Sequence, residues 1–171
     1  MNRTAIPRPA PAIPGLRLRH AAALLGLLVL PLSGALGCAR QAAAQEITLQ
    51  GLSGGQLREA DLRRGAVVAV VWASWPPRCR DVVDKLNAID GRWGSQARVI
   101  SINYQESRAD IEGFLAGKGL RVPVFLDTEG EFSKKYSKPN LPVLLVFRDG
   151  EQVVKTTLPD DPDPTIQGAL Q

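Results

Sequence analysis

Residues 67–72 read Val-Val-Ala-Val-Val-Trp, an apolar run that is β-branched at four of its six places. A strand with one face in water alternates polar and apolar residues, because successive side chains point to opposite sides. This run has no polar position to turn outward, so it predicts a strand covered on both faces. Other elements must therefore lie over the sheet that holds it. Pro76 and Pro77 follow at a place that suits the first turn of a helix, where missing N–H groups cost little. Val82, Val83, Leu86 and Ile89 then recur at helical spacing, with an expected end at Asp90-Gly91.

The rest of the chain continues the alternation. Arg98 to Asn103 predicts a second buried strand, and Asp110 to Lys118 a helix with Ile111, Phe114 and Leu115 inward, closed by Gly117 and Gly119. Val122 to Asp127 is a short extended segment and Glu131 to Tyr136 a helix of a turn or two. Val143 to Phe147 and Gln152 to Thr157 are strands joined by a hairpin turn at Arg148-Asp149-Gly150-Glu151. Thr165 to Leu170 closes the chain as a short helix behind Asp160, Asp161 and Asp163. Before the central strand, Ile47-Thr48-Leu49 reads as an edge strand, Gly51, Gly54 and Gly55 as a turn, and Asp61 to Gly65 as a second turn. Strands alternating with helices and a final hairpin define an α/β class, a mixed central sheet flanked by helices.

The formal charge of +4 does not describe the domain. Residues 1–44 hold five arginines (Arg3, Arg8, Arg17, Arg19, Arg40) and no acid, which leaves 16 of the 21 basic residues against all 17 acidic ones, a net of −1. No basic stripe with interleaved aromatics is present, so no nucleic-acid partner is expected. The leader is basic, then uncharged from Ala21 to Cys38 around Leu-Leu-Gly-Leu-Leu-Val-Leu, then rich in small residues. That is the order of a secretory signal. Pro31, Ser33, Gly34 and Gly37 make a retained membrane anchor the second choice. Ala42-Ala43-Ala44 before Gln45 fits a cleavage site. Ala35-Leu36-Gly37-Cys38 resembles a bacterial lipoprotein box, which makes Cys38 a candidate lipidation site. The expected organisation is a signal or tether over 1–44 and one domain over 45–171, outside the cytoplasm, periplasmic or tethered in a bacterial envelope.

Trp72-Ala73-Ser74-Trp75 at a strand end, Cys79-Arg80 at a helix start, Val122 to Asp127, and Leu141-Pro142 before a late strand and hairpin belong together. With them the chain resembles thioredoxin-like proteins of the TlpA/ResA kind, extracytoplasmic thiol–disulfide oxidoreductases, over roughly residues 46–157. The resemblance implies a cis peptide at Pro142 facing the active cysteines, with the Leu141 backbone offered to an extended substrate strand. It also implies a Cys-x-x-Cys pair, of which only Cys79, the usual resolving thiol, is present. The attacking position is Pro76. Positions where many relatives carry polar helpers are Val70 and Val82, and Asp84 stands in place of a usual helix proline.

Exchange requires an attacking thiolate and a second thiol to resolve the mixed disulfide, so this chain is not expected to cycle as a dithiol reductase. Cys79 has two readings. It is a small buried cysteine whose burial raises its pKa, or it is a reactive monothiol favoured by the helix amino end and by Arg78 and Arg80. The first is the expectation. The expected function is a binding module that holds a partner protein of the envelope or an extended peptide between Trp75, Pro76-Pro77 and Leu141-Pro142. The alternative is a monothiol redox enzyme using Cys79 with an external thiol, and a third is a tethered spacer. Contact with a membrane is expected only through the signal or a lipid. No cofactor is implied. The one histidine, His20, lies in the leader, so no metal site is expected. Trp72 is read as core.

Overall fold

The computed structural model describes residues 46–137 and 140–171. The expected signal or tether over 1–44 and the candidate processing residues Cys38 and Gln45 lie outside the described residues. The strands are β1 (Thr48–Gly51), β2 (Gln56–Arg58), β3 (Ala66–Trp72), β4 (Arg98–Tyr104), β5 (Val124–Asp127), β6 (Val143–Arg148) and β7 (Glu151–Thr157). They form one sheet in the order β2-β1-β5-β4-β3-β6-β7. β3, β4 and β5 run parallel, and the strands outside them pair antiparallel, so the sheet is mixed as expected. The helices are α1 (Val82–Trp93), α2 (Arg108–Leu115), α3 (Glu131–Tyr136) and α4 (Asp163–Leu170).

The apolar run sits at the centre of the sheet. Val67 to Trp72 are each at most 1% exposed. α1 buries Val82, Val83, Leu86, Ile89 and Trp93, while the Trp72 ring meets Phe114 of α2 with centroids 5.3 Å apart. α1 and α4 are joined by the Trp93 indole N–H, which donates to Asp163 at 2.7 Å.

Several boundaries differ from the sequence expectation, each for a local reason. α1 runs through Gly91 to Trp93, because burying the Trp93 indole outweighs the roughly 1 kcal/mol that glycine costs within a helix. α2 starts at Arg108, not Asp110, because the Ser107 hydroxyl caps it by accepting the Asp110 N–H at 3.2 Å. It ends at Leu115, before Lys118, and Gly117 then takes φ +72°. The expected edge strand is internal: β2 returns outside β1 through a turn in which Gly51 N–H donates to Gly55 at 2.9 Å. A Cβ on Gly51 would sit 2.1 Å from the Gly54 carbonyl oxygen, which fixes glycine there. Glu59–Arg63 is a 3-10 helix that buries Leu62, where a turn from Asp61 was expected. α4 begins two residues before Thr165, at Asp163. The Asp149-Gly150 turn lies where expected, with φ of 51° and 93°, the positive pair that a tight hairpin needs.

Candidate functional site

The chain leaves β3 through Ala73-Ser74-Trp75 and enters α1 by a 3-10 turn over Pro77–Cys79. Pro76 is extended (φ −73°, ψ 132°) and Pro77 opens the turn, so neither proline removes a needed helical hydrogen bond. The Cys79 N–H donates to the Pro76 carbonyl at 2.9 Å, which turns the sulfur inward. Cys79 has 0% exposure. Burial pushes its thiol pKa up; a hydrogen bond from the Ala73 backbone opposes this, Glu106 and Asp81 add to it, and Lys85 opposes it again. Arg78 and Arg80, which the monothiol reading counts in favour of the thiolate, are exposed on either side of it.

Beside the sulfur lies a polar cluster that sequence reasoning missed. Glu106 accepts the Ser74 N–H at 2.7 Å, the Ser74 hydroxyl, and the Asn103 side-chain N–H at 2.6 Å. Trp72 and Asn103 are register partners on β3 and β4, so the cluster closes the carboxyl ends of two central strands. Asn103 is itself 1% exposed, a polar residue inside the sheet. A buried polar residue needs partners, and Asn103 followed three places later by Glu106 was the available signal.

Across the sheet, the Leu141–Pro142 bond is cis. The β3–β6 register pairs Val71 with Val143, which brings Pro142 level with Trp72. Pro77 and Pro142 line one concavity of about 520 Å³ together with Arg78, Arg80, Leu158 and Pro159. Leu141 lines a different one of about 420 Å³, with Tyr104, Gln105 and Ser133. Trp75 and Pro76 line neither. Trp75 is nevertheless the exposed large hydrophobic residue of the described domain, at 67%. Pro77 and Pro142 thus share one concavity, Leu141 lines the other, and Trp75 is exposed outside both. Val70 and Val82 are fully buried. Among the described residues, no group of three or more His, Cys, Asp or Glu could hold a metal, and no helix is long and apolar enough to cross a membrane.

A family model described as AhpC/TSA matches residues 41–158. The thiol–disulfide oxidoreductase ResA of Bacillus subtilis is 24% identical over 113 residues, 66% of this chain and 63% of its own length. The sporulation thiol–disulfide oxidoreductase A of the same organism is 23% identical over 91 residues, 51% of this chain and 55% of its own. The chain therefore spans less than two thirds of either relative. Among solved structures, the exposed lipoprotein thioredoxin of Streptococcus pneumoniae superposes with a TM-score of 0.63 at 21% identity, covering 72% of this chain and 97% of that one. StoA of Bacillus subtilis gives 0.62 at 16%, covering 74% and 96%. At such identities the structural likeness establishes the thioredoxin-like fold.

Proposed function

The chain belongs to the AhpC/TSA family, with thioredoxin-like thiol–disulfide oxidoreductases among its relatives, and on that premise we propose that it acts outside the cytoplasm as a binding module and not as a dithiol enzyme. The observation that carries this reading is Cys79. It is the one cysteine of the described domain, free and 0% exposed beneath a proline pair. Exchange chemistry needs an accessible thiolate and a resolving partner. Pro76, at the attacking position implied by the resemblance, supplies neither.

What remains around the covered sulfur suits binding. Trp75 is exposed, and Pro77 and Pro142 border a concavity. An extended segment of an envelope protein, laid along this surface, fits these features. The leader of 1–44, with its signal-like order and Cys38, supports an extracytoplasmic place, as does similarity to an exposed lipoprotein thioredoxin. The monothiol alternative needs an open Cys79, and the burial speaks against it.

Thiol titration of the full chain carrying Cys38→Ser tests the reading, since Cys79 is then its only thiol. Cys79 is expected to react with a disulfide reagent only after unfolding, and the protein to leave insulin unreduced. Rapid reaction of the native protein at neutral pH, or catalytic turnover of insulin, would overturn it.

A further inference from the structure

We propose that the concavity beside Pro77 and Pro142 takes an extended acidic segment of a partner protein, whose carboxylates seat on Arg78 and Arg80. This deepens the binding reading above and rests on it.

The argument begins with a turn that buries its last residue. Because Cys79 points inward, the residues on either side of it, Arg78 and Arg80, point into solvent. Both line the concavity. Neither side chain has an ion pair or hydrogen bond within the described residues. Their neighbour Lys85 differs: it is held by Asp81 at 3.2 Å and Asp160 at 2.9 Å. Those two acids are the carboxylates of the same concavity, and both are engaged with the lysine. Together the five charges leave a net of +1, and the two arginines are the part of it open to a ligand.

Guanidinium is suited to such a task. Its planar fork holds a carboxylate through two N–H donors, and it is less strongly hydrated than an ammonium. The amino end of α1 lies just behind the turn and adds positive potential. Apart from Thr157, the remaining wall is apolar, with Pro77, Pro142, Leu158 and Pro159. A strand places successive side chains on opposite sides. A segment that alternates acidic and apolar residues can therefore set one row against the arginines and the other against the prolines.

Selection of phage-displayed random peptides on the full chain tests both the inference and its premise. The enriched peptides are expected to carry Asp or Glu beside apolar residues. Their binding should weaken on the order of tenfold in Arg78→Glu or Arg80→Glu, and again at high salt. Arg64→Glu, the same charge change at the opposite end of β3, should leave it unchanged. Enriched peptides without acidic bias that bind Arg78→Glu and Arg80→Glu as they bind the parent would overturn the inference and leave the binding reading standing. Failure to enrich any peptide would remove the binding reading, and the inference with it.

Discussion

Glu106 shows how much one side chain organises at the end of β3. Its carboxylate accepts from the Ser74 N–H, the Ser74 hydroxyl and the Asn103 amide, so Glu106→Ala leaves three donors without their acceptor. Stability is expected to fall by about 2–3 kcal/mol, read as a lower urea midpoint. Glu106→Gln should cost less, because one amide oxygen remains. In either variant the Cys79 thiol should titrate lower than in the parent, since Glu106 is one of the charges holding it up. The Asn103–Glu106 spacing was legible in the sequence, but the part of Ser74 was not, because it lies 32 positions from Glu106 and only the fold joins them. The buried state of Cys79 and the core place of Trp72 were legible, being set by the apolar run before them.

The elements that the sequence defined well were those with long apolar runs or strong turn residues, namely β3, β4, the β6–β7 hairpin and α3. It defined poorly what rests on a single local contact. The start of α2 rests on the Ser107-x-x-Asp110 cap, and β2 has only three residues and one buried side chain to mark it. The start of α1 is the element that bears on function. Residues 76 and 79 stand one 3-10 turn apart, joined by the Cys79 N–H to Pro76 carbonyl bond. That spacing is the one a Cys-x-x-Cys pair occupies at a helix start. In the Cys38→Ser chain, Pro76→Cys is therefore expected to form a disulfide with Cys79, with both thiols protected from alkylation until reduction, and to give measurable insulin reduction. Two free thiols in the oxidised variant, counted by mass after alkylation, would show that the turn holds these positions apart.

At the scale of the molecule, Glu59 ties the 3-10 helix before β3 to α3. Its carboxylate accepts from the Lys135 ammonium, the Tyr136 hydroxyl and, at 3.3 Å, the Ile47 N–H. Burial alone would raise its pKa; the hydrogen bonds from Lys135, Tyr136 and Ile47 and the lysine charge together hold it below the usual value. A depressed carboxyl contributes stability that is complete above the ordinary glutamate range and is lost as pH falls through the lowered pKa. The urea midpoint is thus expected to drop below about pH 4, and Glu59→Gln to remove that part of the drop while lowering the midpoint at neutral pH. The arrangement of the three tryptophans has a further use. Trp72 and Trp93 are 0% and 5% exposed, and Trp75, beside the turn, is 67% exposed. The protein therefore contains two optical populations, a pair of indoles shielded from dissolved iodide and one within its reach. Steady emission from the shielded pair reports an intact core. Any partner that covers the turn will announce itself as a loss of quenching at the third, with no label added.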